Sequence, residues 1–304
     1  MPRTFSFTPA APWSFLKIPQ YIEETAYDVV PSTAAFTAVG NVSTINPTRD
    51  VDVDENRWLG SRDLQSQIQL GMKYAIEFEY KPFDIYPMTY GTEYPAGTKT
   101  NAKSLSFVWS QLINGVEKYT LVTGAVCDKV SFTISRKSGV SVTQGWIAKS
   151  MSNYLTSPTG VTTPTYASNP PSTPWSGITT SNQPVTINGS PYPASEFKFD
   201  VNQNPVTVDP IGIQSFDFAA PGNRDITLSF TTWSQDGTLI DDLTNFTARE
   251  VTLTLAVVSG VTYTASFHNV KFNSYKVSDS AGANEFRMES FDAKAQSLEL
   301  TKST

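Results

Sequence analysis

Alternation of apolar and polar residues with a period of two is the feature that most constrains this chain. In KYAIEFEY, residues 73–80, Tyr, Ile and Phe alternate with Ala and Glu. Residues 104–112 and 129–148 continue the pattern. Because successive side chains of a β-strand point to opposite faces, this periodicity predicts strands that each bury one face. The expected fold class is therefore mainly β.

The composition agrees with a β-rich chain and narrows its partners. Aromatic residues make up 12% and charged residues 16% of the 304 residues, so the surface is polar but weakly charged. The net charge is −6 without any run of Lys or Arg, which argues against a protein that grips nucleic acid through its phosphates. No stretch of 18 apolar residues and no apolar signal segment occur, so we expect neither membrane insertion nor secretion.

The first 37 residues are predicted to form an irregular N-terminal arm. Prolines recur here, and proline disfavours both helices and central strands. The aromatic side chains between the prolines need burial, so we expect the arm to lie on a surface, with a neighbouring subunit as the candidate. Its candidate contact residues are Trp13, Phe15 and Tyr21. A disordered tail is the alternative.

Residues 38–152 and 184–304 are predicted to form two β-domains. Between them, residues 153–183 are rich in Ser, Thr and Pro with almost no charge, which is typical of a linker or a long surface loop. One helix is predicted, in the second domain at residues 236–250, where apolar residues recur with helical spacing and Asp236 is placed to cap the start.

The two predicted domains follow the same order of segments. Ile76 lines up with Leu228, a shift of 152 residues, within runs of the form apolar-x-apolar-x-Phe. Further on, the turn at Gly115 lines up with Gly260, so the shift becomes smaller along the chain. We interpret the halves as two copies of one β-sandwich domain, although alternating strands also align by chance. The first copy has prolines where the second has its helix, so we expect at most a short helical turn there.

Residues that carry catalysis or bind metals are sparse. Cys127 is the one cysteine and His268 the one histidine, which excludes an intrachain disulfide and a multi-histidine metal site. Cys127 lies in a strand-like segment, and we interpret it as a small buried apolar residue. No phosphate-binding, dinucleotide-binding or nucleophile-elbow motif occurs. We therefore expect no enzymatic activity, no cofactor and no metal.

An acidic ladder stands out in the segment DVDVDEN, where Asp50, Asp52 and Asp54 alternate with valines. A calcium loop of the EF-hand type needs Gly at its sixth position and Glu at its twelfth. Counted from Asp50, these positions hold Glu55 and Ser61, so the spacing excludes that loop. A looser calcium site is an alternative. As a strand, the ladder places its three carboxylates on one solvated face.

The order of these segments resembles the tail tube proteins of long-tailed phages and related archaeal viruses, in their two-domain form. In the first half the matching pattern is RWLGSRD, then QLGMKYAIEFEYKPFD, then the strand, turn and strand of VSFTISRKSGVSVTQGW. In the second half it is IQSFDFAAPGNRDITLSFTTWSQDGTLIDDLTNF, followed by SFHNVKF and FRMESFDAKA. The resemblance covers nearly the whole chain and rests on the spacing of many weak motifs.

The resemblance implies a structural protein of the virion tail that is made in the host cytoplasm. Such subunits form rings that stack into a tube and contact other tail proteins, and double-stranded DNA or a tape measure protein passes through the lumen. Family members with two tandem domains resemble trimers with pseudo-sixfold symmetry, whereas members with a single domain form hexameric rings. Both ring sizes stay open for this chain. Other virion β-proteins (a tail terminator, decoration or surface-layer component) and a carbohydrate-binding β-sandwich are the alternatives.

Within such a tube, the acidic ladder has two candidate places. Asp50, Asp52 and Asp54 either line the lumen, where they repel sliding DNA, or lie at a ring interface. The segment that follows is a candidate inter-ring loop, with Arg57, Trp58 and Arg62 as its contact residues.

Overall fold

The fold is that of a computed structural model, which describes most of the two predicted domains. The described residues are 15–31, 36–56, 66–92, 104–135, 139–156, 175, 184–208, 215, 217–220, 222–233, 237–258, 260–278 and 288–303. We call residues 15–156 the first half and residues 184–303 the second half. The fold is mainly β, as the alternation predicts, with two helices among the described residues.

Each half contributes strands and one helix. The first half contains β1 (Phe15–Glu23), β2 (Thr37–Ala38), β3 (Asn41–Asn56), β4 (Ser66–Lys81), α1 (Tyr86–Thr92), β5 (Leu105–Ile113), β6 (Val116–Ser135), β7 (Gly139–Ala148) and β8 (Ser150–Leu155). The second half contains β9 (Val185–Ile187), β10 (Ser190–Tyr192), β11 (Ala194–Asn202), β12 (Val206–Val208), β13 (Phe218–Ala220), β14 (Asp225–Trp233), α2 (Thr238–Asn245), β15 (Arg249–Val258), β16 (Val261–Ser278), β17 (Met288–Ala295) and β18 (Ser297–Ser303).

A central sheet of eight antiparallel strands runs through both halves, in the order β3, β4, β7, β6, β11, β14, β17, β16. The pairing of β6 with β11 joins the halves, so the two predicted domains share one continuous sheet. A flanking sheet covers each half of the central sheet. The first is formed by β1, β2, β5, β8 and the start of β6, and the second by β9, β10, β15, β18 and the start of β16.

The same pairing pattern occurs twice, down to its irregularities. Ser43 of β3 lies at a register shift against β4, and its hydroxyl donates to the carbonyl of Glu79 over 3.0 Å. Ser195 of β11 lies at the matching shift against β14, and its hydroxyl donates to the carbonyl of Thr231 over 3.2 Å. Both pairs differ by 152 residues, the shift that aligns Ile76 with Leu228. The β6–β7 and β16–β17 ladders also share a bulge, which β-sheets use to bend a strand from one sheet into another.

Aromatic side chains fill the space between the central sheet and each flanking sheet. In the first half, the ring of Phe107 lies 5.1 Å from that of Phe78 and 5.0 Å from that of Trp146. In the second half, Phe199 and Phe267 are 5.2 Å apart. Phe199 also stacks on Phe132 of the first half at 5.1 Å, so one apolar core crosses the junction.

The N-terminal region differs from the predicted irregular arm. Phe15–Glu23 form strand β1, which pairs with β5. Pro19 fits because it lies where the register against β5 shifts, and a proline in a strand is tolerated at such an irregularity. Tyr21 lies in the core of its own chain: it is 7% exposed, and its ring meets that of Tyr90 edge-on at 6.0 Å.

The helices also differ from prediction. The first half has a helix, α1, of seven residues despite its prolines, because Pro87 lies in the first turn, where a backbone N–H has no intrahelical partner. Helix α2 is shorter than the predicted residues 236–250, since Phe246 takes a left-handed conformation and ends it. Gly237 is its N-cap, and Asp236 lies outside the described residues. Neither helix is long and apolar enough to cross a membrane.

Trp175 is the one described residue of the predicted linker's central part, and it lies in the core. Its side chain is fully buried, and its ring lies 4.7 Å from that of Tyr263 in the second half. Its backbone N–H donates to the carbonyl of Pro82 in the first half over 2.9 Å. Trp175 therefore ties the segment between the halves to both of them.

Cys127 is buried beneath α1. Its thiol contacts the carbonyl of Gly145 at 3.5 Å and the side-chain amide of Gln144 at 3.6 Å. Burial raises the pKa of the Cys127 thiol to about 12. Since the thiolate is the reactive form, this environment is that of an inert structural cysteine.

We expect Trp175→Ala to destabilise the fold by about 3–5 kcal/mol, because it empties a fully buried indole site. Trp233→Ala is the matched control, since Trp233 is 39% exposed and its loss should cost less than about 1 kcal/mol. Urea unfolding followed by circular dichroism measures both. Equal midpoints for the two variants would contradict the role given to Trp175.

We expect Cys127 of the native protein to react with an aromatic disulfide reagent at pH 8 at least about a hundredfold more slowly than the same chain in urea, since burial suppresses both access and the thiolate. Absorbance of the released thiol measures both rates. Rapid labelling of the folded protein would show that the site opens to solvent.

Candidate assembly surfaces

The outer face of the central sheet, which points away from the core, is polar. On β11, Phe197, Phe199 and Val201 are buried against the core, so the alternate residues Lys198 and Asp200 lie on the outer face. Strands β4, β6, β7, β14 and β17 repeat this alternation. Their outward positions hold mostly Ser, Thr, Lys, Asp and Glu.

Several lysines of the outer face form ion pairs with neighbouring carboxylates. The amine-to-carboxylate distances are 2.9 Å for Lys73–Asp52, 2.6 Å for Lys129–Glu77 and 2.8 Å for Lys198–Asp200. Lys129 and Glu77 lie on β6 and β4 and meet across Gly145 of the intervening β7. A Cβ at Gly145 would come within 2.9 Å of the Lys129 side chain, so glycine at this position leaves room for that side chain to cross β7. The face therefore carries mixed charge instead of the basic stripe that binds phosphates.

The central sheet has an unpaired strand at each end. Among the described residues, β3 pairs with β4 alone, and residues 271–278 of β16 pair with β17 alone. Valines are exposed along these edges: Val51 is 44%, Val53 43% and Val277 36% exposed. An open strand edge offers unpaired backbone N–H and C=O groups, which makes it a template for pairing with another chain.

An extension beyond the core follows the first central strand of each half. In the first half it is the far end of the β3–β4 hairpin, which carries Val51 and Val53. In the second half it is the separate two-stranded sheet of β12 and β13. Val206 and Val208 of β12 are 60% and 54% exposed. Both halves thus expose valines at matching places in the chain, as surfaces that bind a partner often do.

Lysines gather at the β16 end of the outer face; we call Lys271, Lys276 and Lys294 the cationic edge. Lys271 of β16 lies directly opposite Lys294 of β17, and like charges in that arrangement are unfavourable. Within the described chain, neither amine lies within ion-pair distance of a carboxylate. The amine of Lys271 instead lies 4.3 Å from the ring centre of Phe246, which is 59% exposed.

The structure describes part of the predicted site. The acidic ladder lies on β3, as its spacing predicts, and Asp50 and Asp52 are exposed on the outer face. The side chain of Asp54 lies outside the described part, as do Trp13 and the predicted loop residues Arg57, Trp58 and Arg62. Phe15 begins β1, and its side chain is not described.

The histidine belongs to a surface contact. His268 lies 2.5 Å from a carboxylate oxygen of Glu250, and both side chains are exposed. A hydrogen bond from the backbone N–H of Asn269 lowers the pKa of Glu250. In the described part of the chain, no group of three or more His, Cys, Asp or Glu side chains is placed to hold a metal ion.

Comparisons with known proteins indicate the family of this chain. A search of curated proteins gave no match. A protein-family model with the description "Phage tail tube protein" matches residues 20–295. The match covers both halves, the junction between them and both open edges of the central sheet. The chain therefore belongs to the phage tail tube protein family.

Proposed function

We propose that this chain is the major tail tube subunit of a virus and that its copies form stacked rings around a channel for DNA. Membership of the family makes it a structural protein of the virion tail. The observation that carries the rest is the central sheet, which is open at both ends and already joins two matching halves edge to edge. Further copies extend such a sheet by the same contact until it closes.

The number of central strands supports a trimeric ring. Three chains of eight central strands give 24, which at about 4.8 Å between strands and a tilt of about 40° makes a barrel roughly 45–50 Å across its backbone. Side chains take about 5 Å on each side, which leaves a channel wider than a DNA duplex of about 20 Å. Six chains would roughly double the barrel width. We therefore propose a trimeric ring with pseudo-sixfold symmetry.

The outer face of the central sheet is the proposed lumen surface. Its lysines are partly neutralised by neighbouring carboxylates, as in Lys129–Glu77 and Lys198–Asp200. Away from the cationic edge, a surface with such paired charge has few free cations to hold phosphates, so DNA or a tape measure protein slides past it.

Stacking is proposed to use the extensions with exposed valines, together with the N-terminal residues 1–14 and the predicted loop at Arg57, Trp58 and Arg62. A contact between two different surfaces of identical rings does not close on itself, so it builds a filament. The tube then joins other tail proteins at its ends. It is assembled in the host cytoplasm in this proposal.

A carbohydrate-binding β-sandwich would present exposed aromatic side chains to the sugar, for which Trp13, Trp175 and Trp233 are the candidates in the sequence. Trp175 is fully buried in the core, so it is not available as a sugar platform.

We expect purified protein at high concentration to form rings and hollow tubes in negative-stain electron microscopy. Native mass spectrometry of an isolated ring should give about 100 kDa, three times the chain mass of 33.3 kDa. A ring of about 200 kDa would replace the trimer with a hexamer. A persistent monomer would overturn the proposed function.

We expect the double variant Val206→Asp, Val208→Asp to form rings that fail to stack, because carboxylates replace exposed apolar contacts. Tubes should shorten at least about tenfold while the ring mass stays unchanged. Val116→Asp is the matched control, since Val116 is 52% exposed in the β5–β6 hairpin. Tubes of normal length from the double variant would exclude β12 from stacking.

A further inference from the structure

The junction between the halves is the pairing of β6 with β11, which has a defined register; we call this pairing the template. Strand β11 pairs with the end of β6 so that Asn202 lies opposite Lys129 and Asp200 lies opposite Ser131. The Ser131 hydroxyl donates to the Asp200 carboxylate, so the two strands are joined by side chains as well as by the backbone ladder.

Register irregularities that recur in both halves show which residue of an open edge corresponds to each residue of the template. The bulge after Cys127 in β6 matches the bulge after Phe272 in β16, so Lys129 corresponds to Ser274 and Ser131 to Lys276. Strand β11 corresponds to β3 through Ser195 and Ser43. By that shift of 152 residues, Asn202 corresponds to Asp50 and Asp200 to Thr48. The two open edges are thus the counterparts of two strands that pair within the chain.

A surface that is covered in the first half is open in the second. Val126 and Ile147 of the first half pack against Ala219 of β13, and Lys149 reaches Asp217 beside it over 3.3 Å. The counterparts of Val126 and Ile147 are Lys271 and Lys294 of the cationic edge, which lie beside a depression of about 270 Å³.

The two helices also differ in burial between the first half and the second half. In α1, Met88 and Gly91 are buried, and the carbonyl of Gly91 accepts a hydrogen bond from Gln203 of the second half. The corresponding residues of α2 are Ile240 and Leu243, which are partly exposed. The second half therefore lacks the cover that it gives to the first half.

On the ring assembly proposed above, we propose that a second copy of this chain supplies that cover by pairing its β3 with residues 271–278 of β16. In the template register, Ser274 lies opposite Asp50 of the second copy and Lys276 lies opposite Thr48. The acidic ladder of one chain then meets the cationic edge of the next, because Asp50 and Asp52 run past Lys271 and Lys294 on the same face. This places the ladder between neighbours within a ring.

The junction within the chain and the proposed junction between chains differ in charge. Within the chain, Ala219 covers apolar residues, whereas between chains carboxylates cover lysines. Two β3 edges would bring acids together and two β16 edges would bring lysines together, so only unlike edges attract. The unfavourable pair of Lys271 and Lys294 is relieved by the same contact.

Paired cysteines test the register. In the variant Asp50→Cys, Ser274→Cys, the two positions lie at opposite ends of the central sheet, seven strand spacings of about 4.8 Å apart, so a disulfide within one chain is impossible. We expect mild oxidation of assembled protein to give covalent dimers and trimers on a denaturing gel. The offset pair Asn46→Cys, Ser274→Cys is the control, since it displaces one partner by about 13 Å.

The outcomes separate this inference from the proposed function. Cross-linking of the matched pair and not of the offset pair supports the register. Rings or tubes without matched cross-links would overturn the register and leave the proposed function standing. Wild-type protein that forms neither rings nor tubes would overturn both.

Charge reversal tests the ionic contact. We expect Lys271→Glu, Lys294→Glu to raise the protein concentration needed for ring formation about tenfold at low salt. Adding Asp50→Lys and Asp52→Lys to the same chain restores the net charge and should bring that concentration back to within about threefold of wild type. Lys118→Glu, on the β5–β6 hairpin, should have no effect. A quadruple variant as defective as the double variant would refute the pairing.

Discussion

Two long strands hold this fold together, because β6 and β16 each belong to two sheets. The first part of each strand pairs in a flanking sheet, and the second part bends at a bulge into the central sheet. The aromatic core lies in the angle that this bend creates, with Phe132 and Phe267 on the two strands. The helices and the outer face take their positions from this frame. So do the two open edges, since the second part of β6 reaches β11 whereas its counterpart in β16 ends the sheet.

Much of this frame could be predicted from the sequence, because a half-buried strand alternates apolar and polar residues with a period of two. The strands at residues 73–80 and 129–148 and the acidic ladder on β3 follow from alternation alone. Strand β1 could not be predicted in the same way, since Pro19 argues against a strand and becomes acceptable only at a register shift that depends on β5. The continuous sheet was equally out of reach, because the pairing of Phe132 with Phe199 depends on tertiary contacts across the linker.

The cationic edge shows a second limit of sequence reasoning. Lys271 and Lys294 are 23 residues apart, and neither stands out in its own segment. Their cross-strand contact exists only once β16 and β17 are in register. The acidic ladder was visible because its residues are adjacent in one strand, whereas the surface proposed to bind it is assembled from two strands. The bulges beside Cys127 and Phe272, with the register shifts at Ser43 and Ser195, then relate the two open edges to the strands that pair within the chain. Alignment of alternating residues alone does not give that relation.

Covalent linkage of the two halves changes the cost of building a ring. The β6–β11 contact forms as the chain folds, so it does not consume the translational and rotational freedom that two separate molecules lose on association. The linker segment pinned by Trp175 keeps the halves at a high effective concentration relative to each other. In the proposed trimer, half of the edge contacts are therefore independent of protein concentration. Nucleation then requires three molecules to meet where an equivalent ring of separate halves would require six.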